Sequence, residues 1–151
     1  MKRRIFLDTN IVIDYLAKRM PFAEDALSVF SLSPLHNQLC ISSLSFTTIY
    51  YVLRKNYVRE QLFDMLETLY SLVEVLPTEE SAIFLSIRSE FHDFEDAVQY
   101  YTALAGNADV IVTRNLKDYT KSTIPVLTPS ELLKTPYWFN DDSDKGMLNE
   151  P

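Results

Sequence analysis

The sequence predicts an α/β fold in which a five-stranded parallel sheet lies between layers of helices. Two observations carry this prediction. Short apolar runs with little polar alternation recur along the chain, as strands that are covered on both faces require. Segments with helical periodicity separate the first four of these runs, and alternation of strand and helix is typical of parallel three-layer sheets.

The predicted elements follow one another in a regular order. The strands are RIFL (4–7), LCIS (39–42), VEVL (73–76), DVIV (109–112) and PVL (125–127). Helical periodicity predicts two helices within 10–32 with a break near Pro21, a helical hairpin over 44–71, and a further pair of helices over 79–105.

Two local signals mark helix ends. The segment Thr128-Pro129-Ser130-Glu131 is a capping box with proline at the first helical position, so it predicts the start of a last helix. Gly106 follows the run YYTALA, where we expect it to be the left-handed residue that ends the helix. Because the chain has only 2 glycines, a glycine-rich phosphate-binding loop is excluded.

Length and charge predict one domain over 1–135, followed by an acidic extension over 136–151 that we expect to be mobile or loosely docked. The net charge of the chain is −7, which argues against a nucleic-acid partner. The extension contributes part of that charge, with four acids against one lysine. Carboxylates that cluster around a metal ion would also present less negative charge to a phosphate than the bare count suggests.

The apolar runs are short, and none approaches the roughly 20 residues that span a bilayer. The basic start MKRRIFLDTN lacks the long apolar stretch of a secretory signal. The single cysteine, Cys40, allows no internal disulfide. These features predict a cytoplasmic protein with no membrane partner.

Three acidic segments carry the candidate chemistry. Asp8-Thr9-Asn10 follows the first strand, Asp93-Phe94-Glu95-Asp96 opens the helix AVQYYTALA, and Thr113-Arg114-Asn115-Leu116-Lys117-Asp118 follows the fourth strand. Each segment also has a plain structural interpretation as a helix cap or a polar loop. In an open parallel sheet, however, ligands bind beyond the carboxyl ends of the strands. If the first and fourth strands are neighbours, Asp8, Asp96 and Asp118 converge, and such a carboxylate cluster suits Mg²⁺ or Mn²⁺.

The order of these motifs resembles the PIN-domain nuclease family: DTN after the first strand, an acid at the head of a late helix, and T-x-N-x-x-D after the fourth strand. The segments DFEDAVQYYTAL and ADVIVTRNLKDY are similar to those of small bacterial PIN proteins, including the toxin ribonucleases of toxin–antitoxin pairs. The similarity runs from about residue 3 to residue 134.

The resemblance implies a three-layer PIN-like fold and Mg²⁺- or Mn²⁺-dependent hydrolysis of RNA. It also implies an antitoxin protein as partner and a homodimer. Asp8, Asp96 and Asp118 fall on the catalytic, metal-holding acids of the family. The supporting polar positions are Thr9, Asn10, Thr113, Asn115, Asp93 and Glu95.

One position departs from the family. PIN nucleases typically carry a glutamate in the helix after the second strand, where this chain has Thr48. Without this carboxylate, the alternative function is a catalytically weakened PIN fold that binds RNA or protein. Asp93 or Glu95 could instead compensate for the missing acid. Arg114 and Lys117 closely precede Asp118, Lys121 follows it, and we expect Arg114 and Lys117 to hold a substrate phosphate.

Overall fold

The computed structural model describes residues 1–136 as five strands and seven α-helices. The strands are β1 (Arg3–Leu7), β2 (Asn37–Ser42), β3 (Glu74–Leu76), β4 (Val110–Val112) and β5 (Val126–Leu127). The helices are α1 (Thr9–Leu16), α2 (Ala23–Phe30), α3 (Ser43–Leu53), α4 (Arg59–Leu72), α5 (Glu80–Ile87), α6 (Phe94–Ala105) and α7 (Pro129–Lys134). A 3-10 turn covers Leu116–Tyr119. All five predicted strands are confirmed to within two residues at each end.

The sheet has the strand order β3-β2-β1-β4-β5, and all of its neighbouring strands are parallel. Ile5 in the central strand β1 lies opposite Leu39 of β2 on one side and Val110 of β4 on the other. The predicted fold class is therefore confirmed. The carboxyl ends of β1 and β4 also meet, as the convergence of the acidic segments requires.

Side chains alternate across the sheet and supply a core on each face. Ile5 and Leu7 pack into the larger cluster with buried residues of α1, α2, α3, α4 and α7. Phe6, between them, points to the opposite face and packs against residues of α6 and the 3-10 turn. This two-sided burial explains why the strands are apolar throughout rather than alternating.

The capping box before α7 is confirmed, because the Thr128 hydroxyl accepts from Glu131 N at 3.1 Å. The prediction for Gly106 is wrong. Its backbone has φ −83°, and the neighbouring Asn107 takes the left-handed conformation with φ 56°. A Cβ at Gly106 would lie 2.5 Å from Leu76 Cδ1, so a larger residue here would force the Leu76 side chain to shift. Close packing against β3, rather than backbone conformation, therefore favours glycine at this position.

The predicted acidic extension over 136–151 lies outside the described residues, apart from Pro136. The domain boundary at residue 135 therefore stays a prediction. Within residues 1–136, no helix is both long enough and apolar enough to cross a membrane.

Candidate active site

Asp8 stands at the carboxyl edge of the sheet between β1 and β4. Its backbone N–H donates to Val112 O at 2.9 Å, which joins the ends of the two strands. Its side chain also caps α1, because Asp8 Oδ1 accepts from Asn10 N at 2.9 Å. Only 4% of the Asp8 surface is exposed. The residue thus combines a capping role with a buried carboxylate at the edge where parallel sheets bind ligands.

The other acids reach the same edge from two short elements. Asp93 caps α6, since its Oδ1 accepts from Asp96 N at 2.9 Å, and this places Asp96 in the first helical turn. Asp118 lies in the 3-10 turn after β4, where its N–H donates to Asn115 O at 3.1 Å. The structural interpretation of Asp93 as a cap is therefore confirmed, and its carboxylate still lines the site.

These elements enclose a cavity of about 190 Å³, which we call the acidic cavity. It is lined by Asp8, Asn10, Asp93, Glu95, Asp96, Gln99, Asn115 and Asp118. The structure thus brings the three predicted catalytic acids together, along with four of the six predicted supporting residues. The remaining two, Thr9 and Thr113, are buried behind the lining.

Thr9 and Thr113 support the lining from behind. Thr113 Oγ1 donates to Asp8 Oδ2 at 3.3 Å and accepts from Asn115 N at 3.1 Å. Thr9 ties three helices together, because its hydroxyl lies 2.8 Å from Ser45 Oγ in α3 and donates to Gln99 Oε1 in α6 at 3.1 Å. Thr113 therefore holds Asp8 directly, whereas Thr9 fixes α1 against α3 and α6.

The clustering of carboxylates makes ionisation costly. Burial raises the pKa of Asp96 to about 8, and the negative charges of Asp8, Asp93, Asp118 and Glu95 add to the rise. Burial also raises the pKa of Asp8, against the hydrogen bonds from Asn10, Tyr119 and Thr113 that favour its charged form. A group of acids that destabilise one another's charges is an arrangement that a bound cation relieves.

The donor chemistry of the acidic cavity fits Mg²⁺ or Mn²⁺, which prefer carboxylate and amide oxygens. Its lining supplies five carboxylates and no lysine or arginine to balance them. Within residues 1–136, however, no three His, Cys, Asp or Glu side chains are arranged as a ready-made metal-binding group. The charge and the ligand type therefore suit a hard divalent cation, whereas the spacing requires the side chains to move inward.

Thr48 lines a neighbouring cavity of about 200 Å³ rather than the acidic cavity. The two cavities share Glu95 and Gln99 as walls. Thr48 Oγ1 donates to Leu44 O at 3.4 Å, a contact within its own helix. Thr48, which stands where the resemblance expects a glutamate, therefore shares a cavity with Glu95. The pKa of Glu95 is raised by partial burial and by the charges of Asp8 and Asp93.

The two predicted phosphate contacts lie outside the lining of the acidic cavity. Arg114 Nε approaches Asp14 Oδ2 at 2.8 Å, and its guanidinium stacks 3.8 Å from the centre of the Phe22 ring. Its charge still favours the ionised form of Asp8 and so opposes the rise in the pKa of that acid. Lys117 is exposed in the 3-10 turn. Arg114 would have to leave Asp14 to reach a phosphate in the cavity.

Sequence reasoning missed three residues of this region. The Tyr119 hydroxyl donates to Asp8 Oδ2 at 2.8 Å, and Gln99 accepts from Thr9 N at 3.0 Å. Asp14, which is 1% exposed, holds both Arg19 and Arg114. A lone acid inside the apolar run IVIDYL indicates a buried ion pair, so Asp14 carried a usable signal. Tyr119 and Gln99 carried none, because their roles depend on contacts between distant elements.

The motifs and the geometry agree with a known family. The family model described as a PIN domain matches residues 4–117 of this chain. The chain belongs to the PIN-domain family. Its five-stranded parallel sheet with flanking helices is a PIN-like fold.

The named relatives of this PIN domain include a ribonuclease. The chain is similar to "Ribonuclease VapC1" of Aquifex aeolicus (strain VF5), with 27% identity over 136 residues, which are 85% of this chain and 92% of the relative.

The chain is also similar in fold to solved structures. VapBC-1 from nontypeable Haemophilus influenzae has a TM-score of 0.63 and 26% identity, covering 84% of this PIN chain and 98% of that chain. A toxin–antitoxin complex from Klebsiella pneumoniae has a TM-score of 0.63 and 25% identity, covering 83% of this chain and 97% of that one.

Proposed function

We propose that this PIN protein is a Mg²⁺- or Mn²⁺-dependent endoribonuclease that acts as the toxin of a toxin–antitoxin pair. The observation that carries the proposal is the convergence of Asp8, Asp96 and Asp118 on one acidic cavity at the carboxyl edge of the sheet. The similarity to a VapC ribonuclease supports RNA as the substrate, and the similarity to toxin–antitoxin complexes supports the pairing.

Asp8, Asp96 and Asp118 are the residues that would hold the metal ion, with Asn10, Asn115, Asp93 and Glu95 as further oxygen donors around them. When bound, the ion supplies positive charge that activates water and offsets the charge that develops on the scissile phosphate. Asp8 is the anchor, since Asn10 N fixes one of its carboxylate oxygens and Thr113 and Tyr119 fix the other. Without a counter-charge, Asp96 keeps its proton at neutral pH because its pKa is about 8.

The alternative of a weakened binding module rests on Thr48. The named relative is a ribonuclease, so the similarity favours an enzyme over a binding module. Glu95 also lies on the wall that the Thr48 cavity shares with the acidic cavity. We therefore assign Glu95, with Asp93, the role of compensating for the missing glutamate.

Phosphate recognition is assigned to Arg114 and Lys117. Arg114 lies just before the 3-10 turn that carries Asp118, and Lys117 lies within that turn. Arg114 is also near enough to act on the charge of Asp8. In this proposal Arg114 exchanges Asp14 for a substrate phosphate, which is a bidentate partner of similar geometry.

An apolar groove offers a seat for the antitoxin. It has a volume of about 690 Å³ and lies between α1, α2 and α4, with lining residues that include Leu16, Met20, Ala23, Leu27 and Met65. Met20 is 69% exposed and Leu27 is 56% exposed. Exposed apolar side chains that are grouped in one groove mark a candidate surface for binding another protein.

The groove assignment is tested with the cognate antitoxin that this proposal expects. Leu27→Asp places a charge in the groove and should weaken co-purification of the two proteins. Leu35→Asp is the matched control, because Leu35 is 78% exposed and does not line the groove. Equal antitoxin binding by both variants would show that the groove is not the binding site.

We also propose a homodimer and a cytoplasmic location. The hairpin of α3 and α4 exposes Tyr51, Val52, Phe63 and Tyr70, which offer an apolar face to a second copy. Light scattering on the purified chain distinguishes a dimer from a monomer. Cys40 is a buried free thiol, which suits a reducing cytoplasm where RNA is available.

The ribonuclease activity is tested directly with purified protein and a mixed RNA substrate. Cleavage should require Mg²⁺ or Mn²⁺, stop with EDTA, and be abolished by Asp8→Asn, since that change removes the anchoring carboxylate. Asp64→Asn is the control, because Asp64 is an exposed acid on α4 outside the acidic cavity. Cleavage that persists in EDTA or in Asp8→Asn would contradict the proposal. RNA binding without cleavage under every metal condition would contradict it as well.

A further inference from the structure

The Tyr119 hydroxyl lies between two of the proposed metal-holding acids. It donates to Asp8 Oδ2 at 2.8 Å and lies 3.5 Å from Asp96 Oδ1, also in donor geometry. Asp8 follows β1 and Asp96 opens α6, so this one hydroxyl connects two elements that are far apart in sequence.

The ring that carries the hydroxyl is fixed in place. Tyr119 is 2% exposed and belongs to the core cluster on the α6 face of the sheet. Its ring meets Phe91 edge-on, with the centroids 6.2 Å apart and the planes at 82°. Its position directly after Asp118 in the 3-10 turn also ties it to the third acid. A hydroxyl on so constrained a ring has little freedom to leave the two carboxylates.

Two neighbouring carboxylates repel each other when both are charged, and a shared neutral donor reduces that repulsion. A tyrosine hydroxyl has one proton to donate. The short contact indicates that Asp8 receives this proton, while the longer contact places the hydroxyl dipole beside Asp96. The Thr113 hydroxyl is 3.3 Å from the same Asp8 oxygen and donates more weakly.

We infer that Tyr119 is a positioning residue, whose hydroxyl holds the carboxylates of Asp8 and Asp96 at the separation from which they take up a divalent cation. This inference rests on the proposed metal-dependent function. In this role Tyr119 contacts the carboxylates that would bind the cation, and not the cation itself. Hydrogen-bond partners of this kind orient metal ligands, and their loss weakens binding although the ligands remain.

A purely structural role for Tyr119 has a matched control in the same core. Tyr100 is 4% exposed and also packs against Phe91, with the centroids 5.2 Å apart. Its hydroxyl lies 3.0 Å from Thr123 Oγ1 and touches no acid of the cavity. Tyr119→Phe and Tyr100→Phe therefore remove the same atom from two similarly buried rings. Only the first removes a contact to the proposed ligands.

The test measures Mn²⁺ affinity by calorimetry for the wild type and both variants. Tyr119→Phe should weaken binding by about 10-fold to 100-fold, the usual effect of losing an oriented ligand partner. Tyr100→Phe should bind Mn²⁺ as the wild type does. Wild-type affinity in Tyr119→Phe, or an equal loss in both variants, would overturn the positioning role.

A second measurement uses no metal, so it also separates this inference from the proposed function. Carbon-13 spectra of metal-free protein report the side-chain carboxyl signals of Asp8 and Asp96. Both signals should move in Tyr119→Phe and stay in place in Tyr100→Phe. If the wild type neither binds Mn²⁺ nor cleaves RNA, the proposed function fails, and these signals alone decide whether Tyr119 positions the pair. Signals that Tyr119→Phe leaves unmoved overturn the inference in every case.

Discussion

Neutralising Asp96 should stabilise the metal-free protein, and by more at high pH than at low pH. The pKa of Asp96 is about 8, against an ordinary 3.8, chiefly because of burial and then because of the charge of Asp8. Between these two values, the native protein holds a proton that the unfolded chain has released. The free energy of unfolding therefore falls as pH rises and levels off above about pH 8. The Asp96→Asn variant has no carboxyl group at this position, so this part of the pH dependence is absent from it.

The magnitude follows from the same shift. Between pH 6 and pH 9, ionisation of Asp96 would cost up to about 3 kcal/mol at roughly 1.4 kcal/mol per pH unit below the native pKa. Asp96 is half-buried, so solvent screening reduces this to about 1 to 2 kcal/mol. We therefore expect the wild type to lose about 1 to 2 kcal/mol more than Asp96→Asn over this interval.

Urea denaturation in EDTA at pH 6, 7.5 and 9 measures the effect. Both proteins keep Asp8 and Glu95, whose pKa values are also raised, so the difference between the two curves reports Asp96 and its coupling to the other acids. Asp64→Asn is the control for loss of an exposed charge and should follow the wild type. If the wild type and Asp96→Asn lose stability in parallel, the acids do not oppose one another's ionisation and the reasoning is refuted.

Three further predictions concern other parts of the molecule. Asp14→Ala should lower the free energy of unfolding by about 1 to 3 kcal/mol, because it leaves two arginines without their buried partner. Urea titration measures this difference, and an unchanged free energy of unfolding would contradict the ion-pair account. Gly106→Ala should cost about 1 to 3 kcal/mol through overlap with Leu76. In a protein that already carries Leu76→Ala, Gly106→Ala should cause no further loss of the free energy of unfolding. An equal loss in the wild type and in Leu76→Ala would rule out the overlap. Thr48→Glu should tighten Mn²⁺ binding in calorimetry, because it adds a carboxylate to the cavity that shares Glu95 with the acidic cavity. Equal affinities would mean that residue 48 lies outside the metal site, or that Asp93 or Glu95 already supplies the fourth carboxylate.

The sheet and its flanking helices were predictable from sequence because local composition and tertiary burial agree. The run RIFL is apolar on both faces, and in the structure Phe6 enters one core while Ile5 and Leu7 enter the other. The last helix was predictable for a local reason, since the Thr128 capping box closes within four residues. Gly106 was not, because a glycine after a helix has the same appearance whether the backbone or a neighbour such as Leu76 requires it.

The acidic cavity was predictable in part. Asp8 and Asp118 follow strands whose carboxyl ends meet, so the topology of a parallel sheet was sufficient to bring them together. The hydroxyl of Tyr119 could not be foreseen, since a buried tyrosine after Asp118 has the same sequence signal as an ordinary core residue. The pairing of Arg114 with Asp14 was missed for a related reason, because an arginine beside an acidic motif suggests a phosphate contact until a buried acid is seen to hold it.

The most direct test of the account is the location of Mn²⁺ in a crystal of the protein, from its anomalous scattering. The account predicts a peak in the acidic cavity within bonding distance of the carboxylates of Asp8, Asp96 and Asp118, with Asp96 and Asp118 drawn toward the ion. Asp8→Asn crystals prepared in the same way should lack the peak. A cavity that stays empty at saturating Mn²⁺, or an ion bound by other residues, would contradict the central claim.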